Sequence, residues 1–86
     1  MKLNVYVIHD KQADRYNQPI FLQNDAVAIR SIRNELLNPQ SQISLSLGDF
    51  SIHLIGEYDD ETGMITNDES PVLVTEVKDI KLPEQK

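Results

Sequence analysis

The densest chemistry in the chain lies in Leu54–Ile65, LIGEYDDETGMI, where Glu57, Asp59, Asp60 and Glu61 put four acids into five residues. Carboxylates at this density either converge on a hard cation or decorate a turn. An EF-hand loop requires acids at its first, third and fifth positions, glycine at the sixth and glutamate at the twelfth. Counted from Asp59, the fifth position is already Gly63, so that pattern fails. A looser set, Glu57 and Asp59 with Asp68 returning across a hairpin, is the metal arrangement that the spacing leaves open. A general acid–base pair is disfavoured, because an exposed turn offers no desolvation to move a carboxyl pKa. Asp60-Glu61-Thr62-Gly63 instead predicts a type I turn with a left-handed glycine at its fourth position. Asp60 would bond the turn backbone two residues on, and Asp59 and Glu61 would stay solvated. No resident metal is expected.

The remaining reactive side chains are sparse. His9 and His53 are the only imidazoles, and neither has a second histidine or a cysteine at ligand spacing. There is no glycine-rich phosphate loop and no serine in a nucleophile elbow. No catalytic residue and no cofactor are therefore expected, and the reading is non-enzymatic. Lys11, Arg15, Arg30 and Arg33 form the one basic feature, with Tyr6 and Tyr16 nearby in sequence. Folded together, they would suit phosphates and stacked bases. The competing reading is a solvated helix face on which the arginines pair with Asp25 and Glu35.

The elements that must position these residues are few. Leu3–Ile8, apolar on both strand faces, predicts a central strand. Asp10–Pro19 reads as a loop leading into Ile20-Phe21-Leu22. Asn24 or Asp25 caps a helix running to about Leu37, with Ile29, Ile32 and Leu36 as its apolar stripe, and Pro39 ends it. Ile43, Leu45 and Leu47 alternate with polar residues as in a short strand or extended loop. Phe50–Tyr58 is a strand with Ile52, Leu54 and Gly56 on one face and His53 and Ile55 on the other. Val72–Val77, introduced by Pro71, is the last strand. The fold class is α+β: a small, mostly antiparallel sheet of three to five strands with one amphipathic helix at residues 25–37. One domain spans 1–80 and a flexible tail spans 81–86.

Composition restricts partners. The 86 residues contain no cysteine, which points to a reducing cytoplasm and excludes disulfides and thiolate zinc. The apolar run near the start is too short for a signal segment or a membrane span. The net charge of −6 is unevenly placed: residues 1–43 sum to +1 and residues 44–86 to −7. Any DNA contact must then use the N-terminal half. The acidic half, with Asp59, Asp60 and Glu61, is the candidate surface for a basic protein partner. A sheet this small leaves edges to cover, so a homo-oligomer is expected.

MKLNVYVIHDKQAD, YNQPIFLQNDAVAIRSI, the NPQSQ turn and DFSIHLIGEYDDETGMI, in this order and spacing over residues 1–66, resemble the small nonstructural protein of gokushovirus-type microviruses, phages with circular single-stranded DNA. The chain departs from that family at Ile32, where an aromatic is expected, and beyond Asp68. The resemblance implies a protein of the infected bacterial cytoplasm, absent from the mature virion. It further implies an accessory of single-stranded DNA replication or packaging, working with viral or host replication proteins. It transfers no residue roles.

Overall fold

In the computed structural model, which describes residues 1–80, the order is β1 (Lys2–Asp10), β2 (Arg15–Tyr16), β3 (Ile20–Leu22), α1 (Asp25–Leu36), α2 (Gln42–Leu45), β4 (Phe50–Asp59) and β5 (Met64–Glu76). Single 3₁₀ turns at Leu47–Asp49 and Val77–Asp79 flank β4 and close β5. The expected tail at 81–86 lies outside the described residues. The architecture is the expected α+β one. An antiparallel sheet runs β2-β1-β4-β5, and β3 pairs with β1 beside β2.

Register divides the sheet into two faces, because cross-strand partners project the same way. Tyr6 opposes Leu54, Ile8 opposes Ile52, and Leu22 opposes Asn4. These residues face α1, whose Ala28, Ile32 and Leu36 complete the core with Phe50 and Val77. The opposite face carries Val5 against Phe21, Val7 against His53, His9 against Ser51 and Tyr16, Leu3 against Tyr58, and Leu73 against His53. The α1 residues belong to the cluster on the first face, yet Val5, Val7 and Ser51 at the centre of the second are buried as well.

The helix begins where short polar side chains allow it. Asn24 accepts the Val27 amide at 2.9 Å as the N-cap. The buried stripe is Ala28, Ile32 and Leu36, one residue round from the expected centre, with Ile29 moved to the flank.

Three expectations are corrected. Residues 42–49 form neither strand nor extended loop. Ser41 caps a helical turn through Ile43 N, and the Ser44 hydroxyl donates to the carbonyls of Asn38 and Ser41. These local bonds outweigh the alternating pattern, leaving Ile43 against the core and Leu45 exposed. The last strand starts at Met64, not Val72, and Pro71 lies inside it. Between the pairs Gly56–Asn67 and Leu54–Val72, residues 68–71 bulge opposite Ile55 alone, so Pro71 owes no ladder donor. The irregularity at Ile55 also shifts β4 against β1, so Gly56 opposes Val5 on the helix-free face instead of sharing a face with Ile52 and Leu54.

Candidate functional site

The acidic hairpin is held by its own side chains. Gly63 takes φ +72 and donates its amide to the Asp59 carbonyl at 2.8 Å, closing a four-residue loop between the paired Asp59 and Met64. The carboxylate that caps the turn is Asp59, not Asp60: its Oδ1 accepts the Glu61 amide at 2.9 Å. Asp60 Oδ1 instead accepts the Met1 amino group at 2.7 Å, while the Asp60 amide donates to the Met1 carbonyl. Among the described residues no group of three or more His, Cys, Asp or Glu side chains is placed to hold a metal ion. Glu57 instead pairs with Lys2 across the strands at 3.7 Å.

The expected basic and aromatic set divides between the two faces. Tyr6 belongs to the core at 2% exposure, so its ring offers no stacking surface. Its hydroxyl donates to Asp25 Oδ1 at 2.6 Å and accepts from Asn4 Nδ2 at 2.9 Å. Burial, then the hydrogen bond to Asp25, push this phenol up to about 12. Lys11 is ion-paired with Glu76 and holds that carboxyl below its ordinary value. Arg15 shares the helix side of the sheet with Asp10, its register partner. Arg30 is exposed on α1 and Arg33 follows one turn later, half-buried, its buried Nε without a hydrogen-bond partner. Among the described residues, none of these three arginines is in a salt bridge with a carboxylate.

Tyr16 lies on the helix-free face, half exposed and stacked on His9 at 4.5 Å between ring centres. His53 meets both rings edge-on, at 5.8 Å from His9 and 6.1 Å from Tyr16. A second aromatic pair, Phe21 and Tyr58, makes a T-shaped contact at 5.5 Å on the same face. Sequence reasoning singled out Tyr16 but missed the two histidines as its neighbours and the separate Phe21–Tyr58 pair on the same face. Their grouping depends on strand pairing and has no local signal.

A serine–histidine pair also appears. Ser51 Oγ lies 2.9 Å from His53 Nε2, the contact that activates a nucleophile in acyl-transfer enzymes. Ser51 is 1% exposed, and the buried His53 Nδ1 has no partner to orient the ring. A buried hydroxyl reaches no substrate carbonyl, so the contact satisfies a polar group between β1 and β5. Burial, and next the neighbouring His9, lower the His53 pKa.

A sequence model described as Phage ORF5 protein matches residues 3–80, which is nearly the whole chain. The chain belongs to the Phage ORF5 protein family. No curated protein and no solved structure matches it. For this phage protein the match covers all the described strands and α1 apart from Lys2 at the start of β1, and it includes Lys11, Arg15, Arg30, Arg33 and the acidic hairpin.

Proposed function

We propose that this Phage ORF5 family member is a non-enzymatic accessory of single-stranded DNA genome replication or packaging in a gokushovirus-type phage. In this reading it acts in the infected bacterial cytoplasm and touches DNA through the helix side of its sheet. One observation carries the reading. In a chain with 14 acids and eight bases, Arg15, Arg30 and Arg33 lack a carboxylate partner among the described residues. With acids in excess, unpaired guanidinium groups remain available for phosphates, which they grip as planar forks. All three come from the N-terminal half, away from the acidic hairpin, and Arg33 carries an unsatisfied Nε. The family match supports a phage protein, and the resemblance to microvirus nonstructural proteins supplies the single-stranded genome. Lys11, engaged with Glu76, drops out of the contact set. Tyr6 drops out as well.

The test is fluorescence anisotropy of a labelled oligothymidylate across a salt series. Affinity is expected to fall steeply with salt, and Arg15→Gln and Arg30→Gln are each expected to flatten the log–log slope by about 0.7. No binding at low ionic strength, or a slope indifferent to both substitutions, defeats the reading.

The acidic hairpin supports a second reading, an adaptor docking on a basic viral or host replication or assembly protein. Glu61 at the tip and Asp68 and Glu69 in the bulge are exposed. Asp59 and Asp60 have the local tasks described above, so Glu61, Asp68 and Glu69 become the preferred contacts. Charge reversal at these three is expected to reduce recovery of a basic partner from infected cells and to leave oligonucleotide binding intact. Unchanged recovery removes this reading.

A further inference from the structure

We propose that the outer face of the Tyr16 ring is a stacking platform for an unpaired base, and that a single strand crosses the sheet over the β2 edge. The inference rests on the DNA reading above. It adds the contact which that reading lacks, a group that holds bases instead of phosphates.

Register sets the platform. His9 and Tyr16 are cross-strand partners on β1 and β2, and their rings stack at 4.5 Å between centres with 20° between planes. β2 ends the sheet path, and among the described residues no strand pairs with its outer side. A stack that starts on β1 and steps to β2 therefore has its next place beyond the edge of the sheet. His53 does not take that place. Its ring centre lies 5.8 Å from His9 and 6.1 Å from Tyr16, and such near-equal distances put it beside the stack. On the far side of Tyr16 it would stand much farther from His9 than from Tyr16. Tyr16 is accordingly 49% exposed although one face of its ring is covered. With His9 behind the ring, an incoming base meets a surface that is already ordered.

The phosphate contact comes from the same two-residue strand. Arg15 precedes Tyr16 and is the register partner of Asp10, so it projects to the other side of the sheet, toward the helix. It is exposed and lacks a carboxylate partner among the described residues. In a nucleotide the sugar separates phosphate from base, so a strand passing over this edge offers a phosphate to Arg15 and a base to Tyr16. A guanidinium that holds charge and a ring that stacks on any base are the two components of sequence-tolerant single-strand binding. A duplex cannot use the corner in this way, because its bases are already stacked on one another. Glu76 is paired with Lys11, which leaves Asp14 as the carboxylate opposing a phosphate on the Tyr16 side. Asp14 Oδ1 lies 3.1 Å from His9 Nε2 and its side chain is 90% exposed.

Anisotropy of labelled oligothymidylate with the full chain separates the two contributions. Tyr16→Ala and Tyr16→Leu are each expected to weaken binding about tenfold at every salt concentration with an unchanged log–log slope, since a stacked base is lost and no phosphate contact. Tyr16→Phe keeps the ring and is expected to keep the affinity. Asp14→Asn, tolerated at φ +52, is expected to tighten binding at low salt. Tyr16→Trp places one indole in a chain without tryptophan, and oligothymidylate is expected to quench its fluorescence where an abasic oligomer of equal length does not. Wild-type affinity in Tyr16→Ala and Tyr16→Leu overturns the platform, and the DNA reading survives that result if Arg15→Gln still flattens the slope. Equal quenching by the abasic oligomer overturns the platform too, and unchanged low-salt affinity in Asp14→Asn overturns the crossing. A wild-type chain that binds nothing at low ionic strength removes the platform and the DNA reading together.

Discussion

The Tyr6 hydroxyl donates to Asp25 Oδ1 at 2.6 Å, tying the central strand to the first turn of α1. One bond joins two residues 19 apart in sequence and orients the helix over the sheet. Asn4 Nδ2 donates to the Tyr6 hydroxyl oxygen, so the phenol is both donor and acceptor in a part-buried site.

Tyr6→Phe keeps the ring and leaves Asp25 and Asn4 each short of a partner. Urea denaturation is expected to show a loss of about 1–2 kcal/mol. The phenol is held near 12 in the fold against an ordinary 10.0, so its contribution is fully present below pH 10 and fades as pH rises toward 12. The wild-type protein should therefore lose stability over that alkaline window, and Tyr6→Phe should lose less.

His53 supplies an acid-side dependence. Its folded pKa lies below the ordinary 6.5, chiefly through burial, with His9 and Lys11 adding to the depression and Glu76 opposing it. The unfolded chain then binds the extra proton first, so this contribution is complete above pH 6.5 and is lost as pH falls through the lower folded value. Glu76, depressed by its bond to Lys11, adds a second loss below its ordinary 4.5. Thermal melts of His53→Gln against pH are expected to flatten the upper window only. A profile identical to wild type refutes the assignment.

Two glycines are required for different reasons. A Cβ on Gly56 would sit 2.4 Å from the Thr66 carbonyl oxygen, a backbone atom across the strand pair, so Gly56→Ala must spread β4 from β5 at about 1–3 kcal/mol. Gly63→Ala meets no atom but places a side chain at φ +72, costing about 1 kcal/mol. Gly48→Ala, with open space around it, is the control and should be close to neutral. Chemical denaturation ranks the three directly.

Asn24→Ala removes the acceptor for the Val27 amide and is expected to cost about 1 kcal/mol. Asn24→Asp should retain the cap and interact favourably with the helix N-terminus. Loss of stability in Asn24→Asp equal to that in Asn24→Ala would show that the side chain acts in some other way.

What the sequence alone determined was whatever rests on nearest neighbours. Leu3–Ile8 is β-rich and apolar on both faces, Asn24 precedes a helical stripe, and Asp59–Gly63 carries turn chemistry, so strand, helix and hairpin were all legible. The tertiary structure decided what depends on partners distant along the chain. It put Tyr6 into the core, because Asp25 and Asn4 satisfy its hydroxyl there, and paired Lys11 with Glu76, 65 residues away. It merged the end of the hairpin with the final strand through a bulge that takes up Pro71. It also assembled Tyr16, His9, His53, Phe21 and Tyr58 on one face, since only strand register decides which alternating side chains meet. A single irregularity at Ile55 reverses that alternation for the residues beyond it, and no local pattern in LIGEYDDETGMI announces it.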